Sequence, residues 1–307
     1  VAKKLASFGL KKPVFLLPGN HDPLVPGSVY DATHPFRAAL PRWVHVVDRD
    51  DFTFPLTETA TLFSRPCRSR AGQDDLALAL PSRAEGDASI RIGMVHGSTF
   101  DAVDCQTNFP IAKDAARDRG FDYLAIGDTH SYREVPPGAR PPVIYPGAPE
   151  ATTFGEPGAG NVVAVFVSRS RRVTFRPERV AYWRWHERTI RSLAELRSVK
   201  AEPHLAQTVL RLVLDLTVTA PELEEAEQIL GALKGSAAVH GQVGILQEDR
   251  ERMTLDTRGI EASFTDLPDV LRATVAQLQE LEGGDQAEVA RAALFHLYQL
   301  VRAGGAP

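Results

Sequence analysis

Apolar runs bounded by proline, glycine and short polar clusters divide the first half of this chain into strands. Val14 to Leu17 is one such run, and it predicts a short buried strand opening at Pro18 into the polar loop Gly19-Asn20-His21-Asp22. Ile90 to Val95 repeats that grammar and ends at His96-Gly97. Tyr123 to Ile126 does so again and ends at Gly127-Asp128-Thr129-His130. Further strands are expected at Val44 to Val47, Thr53 to Pro55 and Thr61 to Ser64, with helices over Asp75 to Leu80 and over Pro110 to Arg119, the latter stopped by Gly120. The Pro- and Gly-rich passage through Pro26, Gly27 and Pro35 reads as loop, and Val1 to Leu10 as the last turns of a helix closed by Gly9. Strands alternating with helices, each ending in a polar loop, predict an α/β sandwich with its chemistry on one rim.

From Val143 onward the pattern predicts antiparallel strands at Val143 to Tyr145, Asn161 to Ser168, Arg172 to Phe175 and Tyr182 to Glu187. A polar helix over Thr189 to Pro203 then links to a second unit. That unit opens with the alternating strand Thr208 to Leu216. It continues through a helix with Pro221 in its first turn, Lys234 at its end and Gly235 as terminator, and strands near Val243 to Leu246 and Arg252 to Asp256 complete it. Two helices close the chain, Leu267 to Leu281 and Val289 to Arg302, the second begun by a capping-box-like Asp285 and Glu288. The expected domains are residues 1–190, an α+β unit over 191–262, and a helical pair over 263–307.

Composition narrows the class. A chain of 307 residues can bury a sizeable core, and its longest apolar runs fall far short of the roughly 20 residues of a membrane span. Cys67 and Cys105 lie far apart without CxxC spacing, which argues for a reducing, cytoplasmic setting and against a thiolate zinc site; both are read as inert packing residues. The net charge of −4 speaks against a protein that coats nucleic acid through bulk positive charge. Charge is unevenly spread, however, with eight arginines against two glutamates from Arg169 to Arg191, and sixteen acidic against five basic side chains from Asp215 to Glu288. The arginines interleave with Phe175, Tyr182, Trp183 and Trp185. A sheet with one wet face explains that alternation more simply than phosphate contacts and base stacking do.

Asn20, His96, Asp128 and His130 offer amide oxygen, imidazole and carboxylate at predicted strand ends, the donor types that divalent ions accept. Two such ions about 3.5 to 4 Å apart can polarise a phosphodiester and activate water together. Asp101 and Asp104, downstream of His96, read as solvated loop carboxylates.

The blocks GNHD at 19–22, VHG at 95–97, GDTH at 127–130 and YPGAPEATTFGE at 145–156 resemble the calcineurin-like metallophosphoesterases, and within them the SbcD-type DNA repair nucleases. The resemblance covers about residues 12 to 190. It implies a metallophosphoesterase β-sandwich flanked by helices, followed by a small α+β cap domain and a C-terminal helical tail. It also implies that Asn20, His96 and Asp128 hold one Mn²⁺ and His130 the second, with Mg²⁺, Fe²⁺ or Zn²⁺ as other ions the site takes. His21 faces the substrate in that scheme, and Asp22 orients its imidazole. Asp128 departs from the family pattern, which more often has His, and it favours a hard ion.

The family's opening DxH and GDxxD blocks do not precede Gly19 here. About half a ligand set, weak binding of one ion and activity residing in the parent protein are therefore expected. The implied function is a DNA exonuclease subunit of a repair complex. Its rivals are a phosphatase of small nucleotides and a subunit that has lost catalysis. The implied partners are DNA ends, a coiled-coil ATPase of the SbcC type docking on the last helix, and a second copy of the chain.

Overall fold

The computed structural model describes residues 2–7, 12–99, 108–234, 243–256 and 268–304. It divides into two compact units, Val1–Tyr182 and Trp183–Pro307.

In the first unit a short helix, α1 (Ala2–Ser7), precedes β1 (Val14–Leu16), which pairs in parallel with β2 (Val44–Val46). The passage expected as loop contains one short helix, α2 (Pro35–Ala38), begun by His34, whose Nδ1 accepts from the backbone N–H of Phe36 at 3.1 Å. Strands β3 (Phe52–Pro55), β4 (Ala60–Ser64) and β5 (Ile90–His96) follow, then the two-residue strands β6 (Ser98–Thr99) and β7 (Pro110–Ile111) and helix α3 (Ala115–Asp118). Next come β8 (Tyr123–Gly127), β9 (Arg133–Glu134), β10 (Val143–Tyr145), β11 (Asn161–Val167) and β12 (Val173–Arg179).

The central sheet has six strands in the order β3-β4-β5-β8-β10-β9. Its middle strands run parallel, so β5 and β8 end at the same rim, with His96 directly opposite Gly127. Side chains alternate between its faces. Ile92 and Met94 of β5 pack with Phe15, Leu17 and Leu62 beneath the β1–β2 pair, while Tyr123 and Ile144 meet Val163, Val165 and Phe175 of the β11–β12 ribbon. On the other face Val95, Leu124, Ile126 and Val143 pack on Leu76, Ile111, Ala115 and Phe121. The ribbon leaves Thr174 and Arg176 exposed on either side of Phe175, which is the wet face expected of it.

Three expectations change here. The helix over Pro110 to Arg119 is only four residues long, because Pro110–Ile111 pairs with Ser98–Thr99 and the Asp75 carboxylate accepts from Ala112 N at 2.7 Å. Asp75 to Leu80 forms a single turn: Asp75 Oδ1 accepts from Ala77 N and Leu78 N, and Pro81 follows. Val143 to Tyr145 is antiparallel to β9 but parallel to β8. The helical end at Gly9 and residues 100–107, including Asp101, Asp104 and Cys105, lie outside the described residues.

The second unit is built on β13 (Arg184–Ile190), helix α4 (Leu193–Ser198), β14 (Thr208–Leu214) and β15 (Thr217–Val218). Helix α5 (Ala220–Leu233), β16 (Ile245–Asp249), β17 (Thr254–Leu255), α6 (Asp269–Leu281) and α7 (Ala287–Gly304) follow. Strand β13, expected with the antiparallel set of the first unit, pairs in parallel with β14, which pairs in parallel with β16. The expected boundary at residue 190 therefore falls instead at Tyr182/Trp183. Thr219 and Glu222 form the capping box of α5, whose Leu223, Ile229, Leu230 and Leu233 enter a core shared with Leu210, Leu212 and Leu214. Val275 of α6 and Leu294, Phe295 and Tyr298 of α7 enter that same core, so the closing helices belong to this unit's packing. No helix among the described residues is long and apolar enough to cross a membrane.

Candidate metal centre

His96 ends β5 at the rim where the sheet's parallel strands finish, and two glycines make room for its ring. A Cβ on Gly19 would stand 2.8 Å from the imidazole, and one on Gly127 would stand 2.9 Å from its Nδ1. The slot thus exists only because the loops after β1 and at the end of β8 both carry glycine at the point of closest approach.

In this slot the His96 Nε2–H donates to Asn20 Oδ1 at 2.9 Å, and Asp128 Oδ1 lies 3.5 Å from the same nitrogen. Asp128 holds a backbone φ of +135°, a region that side-chain-bearing residues rarely adopt. Strain of this kind persists where surrounding structure imposes it, and such places concentrate at functional sites.

The Asn20 loop is pinned at both ends by one residue. Cys67 N donates to Pro18 O at 3.0 Å, and Leu24 N donates to Cys67 O at 2.8 Å. Cys67 is fully buried. Burial, and next the charge of Asp128, push its thiol up to about 12. The segment after His96 is fixed from β10, where the buried Tyr145 hydroxyl donates to Gly97 O and accepts from Thr99 N, each at 2.9 Å. Burial pushes that phenol up to about 12.

His130, two residues beyond Asp128, is half exposed, and its Nδ1 lies 2.5 Å from Glu156 Oε1. Thr152 donates to Glu156 through its backbone N–H at 2.7 Å and its hydroxyl at 3.1 Å. Burial alone would raise the Glu156 pKa, but these hydrogen bonds outweigh it and hold the carboxyl below its ordinary value.

Asn20, His96 and Asp128 are thus brought together, while the ring of His130 is held by Glu156. His21 and Asp22 are both exposed, and among the described residues no hydrogen bond or ion pair joins them. Asp22 lies near Tyr30 instead. Burial chiefly, and then the Asp22 charge, raise the Tyr30 pKa.

Sequence reasoning missed the roles of Glu156, Tyr145 and Cys67. Glu156 and Tyr145 close and open the YPG…E block, which was the available signal for them; Cys67 gave none.

Residues 1–132 match the family Calcineurin-like phosphoesterase. Over those residues the first unit is similar to calcineurin-like phosphoesterases. The chain is also 28% identical over 159 residues to "Uncharacterized metallophosphoesterase YhaO" of Bacillus subtilis (strain 168). That stretch covers 50% of this chain and 37% of the relative, so the chain spans little more than a third of that protein's length.

Metallophosphoesterases use divalent metal ions, and the donor set here can be compared with that need. Among the described residues no three His, Cys, Asp or Glu side chains gather to hold a metal ion; the third donor of this cluster is the amide oxygen of Asn20. Neighbouring ligands of an ion with bonds of about 2.1 Å stand roughly 3 Å apart, close to the spacings seen around His96 Nε2. The three donors therefore fit part of the shell of one hard divalent ion in the first unit.

Proposed function

We propose that the protein carrying this chain hydrolyses phosphodiester bonds at DNA ends with Mn²⁺, as an SbcD-type nuclease subunit working in the cytoplasm beside an SbcC-like coiled-coil ATPase. The observation that carries the reading is the convergence of Asn20, His96 and Asp128 at one strand rim, in a slot kept open by Gly19 and Gly127. A bound divalent ion supplies Lewis acidity to phosphate oxygens and lowers the pKa of a water.

The chain's own residues do the remaining work. Asn20 and Asp128 hold the donor face of His96 between them. Glu156 takes the Nδ1–H of His130 and leaves Nε2 as the ring nitrogen able to ligate a second ion. His21 is exposed beside this face, with no hydrogen-bonding partner among the described residues, and offers an imidazole N–H to a substrate phosphate or a leaving oxygen. Asp22, one residue on, is exposed on the same loop. On α7, Val289 and Leu300 are 70% and 69% exposed, and this apolar surface supports the docking of the ATPase there.

The test uses the full-length product of the reading frame that encodes this chain. End-labelled duplex DNA is expected to be degraded with Mn²⁺ and not with EDTA, and His96→Ala or Asp128→Ala should lower the rate by roughly a hundredfold or more. Hydrolysis of p-nitrophenyl phosphoesters with none of duplex ends would transfer the assignment to a small-substrate phosphatase. No hydrolysis of either substrate with any divalent ion would leave a non-catalytic subunit.

A further inference from the structure

At the opposite ends of the same strands lies a cleft of about 580 Å³, lined by Arg83, Arg117, Arg140, Arg171 and Arg172 together with Phe175. The lining residues that precede β8, Phe121 and Asp122, sit at its amino end, whereas Asp128 follows its carboxyl end. Five strand residues separate the two by roughly 17 Å, so a ligand held in the cleft does not touch His96.

Two of the five arginines are occupied. Arg83 donates to Gly120 O, Asp87 O, Ser89 O and Asp122 Oδ2, which uses its guanidinium almost completely. Arg117 is paired with Asp114 and Asp118 on its own helix. The others are not saturated. Arg140 uses Nη1 on Glu134 and Ala139 O, and its guanidinium stands 5.9 Å from the centre of the Phe175 ring. Arg171 makes a 3.6 Å contact from Nε to Asp122 Oδ1. Among the described residues the Arg172 side chain has no hydrogen bond or ion pair, and it is exposed.

A guanidinium has five N–H donors. Asp122 is the one carboxylate in the described lining, and both its oxygens are engaged, Oδ2 by Arg83 and by Arg91 N at 2.9 Å. The cleft therefore presents guanidinium N–H donors for which its described lining holds no further carboxylate. The turn that carries Arg171 and Arg172 is fixed: Arg172 N donates to Ser168 Oγ at 3.1 Å, Arg171 N to Ser168 O at 2.9 Å, and Ser168 N to Arg172 O at 2.9 Å.

We infer that this cleft is a second anion site, which takes the phosphates of a nucleotide on Arg140, Arg171 and Arg172 and its base against Phe175. Guanidinium forks match phosphate oxygens bidentately, an aromatic face stacks a base of any kind, and the volume lies within the roughly 300–1,000 Å³ of small-ligand sites. A free nucleoside triphosphate and the terminal nucleotide of a DNA strand share this chemistry.

Calorimetric titration of the full chain with ATP, at low salt and without divalent ions, tests the inference. The expected result is a single site whose affinity falls about tenfold or more in Arg172→Glu and in Arg140→Ala, and is unchanged in His96→Ala. Arg172 is exposed and unpaired, so Arg172→Glu folds, and Arg172→Gln repeats the measurement with the charge removed alone. Tighter binding of ATP than of a short oligodeoxythymidine identifies a free nucleotide as the ligand, and the reverse order identifies a strand end. Inorganic tripolyphosphate binding as well as either assigns the site to phosphate alone and removes the role of Phe175. Equal affinity in wild type and Arg172→Glu overturns the inference, as does loss through His96→Ala or absence of binding by all three anions at millimolar concentration.

Discussion

The His96 ring fits where it does because two distant residues lack a Cβ, and this makes the site sensitive to the smallest substitution available. Gly19→Ala or Gly127→Ala should displace the imidazole, since the added carbon would stand under 3.0 Å from it. Both variants are expected to fold and, on the proposed reading, to lose divalent-ion binding in titration; a variant that binds as wild type does would show that the ring can tilt away without cost. Glu156→Ala addresses the other histidine. Losing the carboxylate that fixes a ligating imidazole typically costs 10- to 100-fold in metal affinity, and Glu156→Gln, which keeps an acceptor oxygen, should recover part of it. Tyr145→Phe leaves Gly97 O and Thr99 N without their buried partner, and thermal unfolding should report a loss of about 1–3 kcal/mol. Cys67 behaves oppositely to a reactive thiol: with its pKa pushed up to about 12, the thiolate fraction at pH 8 is on the order of one in ten thousand. Iodoacetamide labelling mapped by mass spectrometry should find Cys67 unmodified in the folded protein and modified in urea.

At the scale of elements, what the sequence discloses depends on how local the determining contact is. The strands ending at Leu16, His96 and Gly127 are legible because each is a mostly apolar run closed by glycine and polar residues within two or three positions. The ligand types at their ends are legible for the same reason. Residues that act across long separations are not: Glu156 lies 26 positions from His130, and Tyr145 lies 48 from Gly97. Pro110 to Arg119 reads as a helix until the Asp75 carboxylate, 37 positions away, takes the Ala112 N–H and lets Pro110–Ile111 pair as a strand. Alternation also carries no information about strand direction. That is why Val143 to Tyr145 and Tyr182 to Glu187 were expected among antiparallel strands, although β10 and β13 both have parallel neighbours. Exposure of His21 and Asp22 belongs to the same class, since adjacency in sequence suggested a pairing that the loop does not make.

At the scale of the molecule, the two units enclose separate cores, and the proposed metal ligands belong wholly to the first. The second is centred on β14, whose Leu210, Leu212 and Leu214 are fully buried among side chains from α5, α6 and α7. Domains with cores of their own can unfold in steps, so a single unfolding free energy does not describe such a chain. Leu212→Ala tests this. A buried leucine cut to alanine costs about 2–5 kcal/mol through lost transfer energy and a residual cavity. Hydrogen exchange should then accelerate in β14, β16 and α5 by the corresponding factor, while protection in β5 and β8 stays at the wild-type level. Affinity for a divalent ion at the proposed site around His96 should also be unchanged. Equal acceleration in β5 and β8 would mean that the halves unfold as one cooperative body; Leu212 would then contribute to the stability of the candidate metal centre as well.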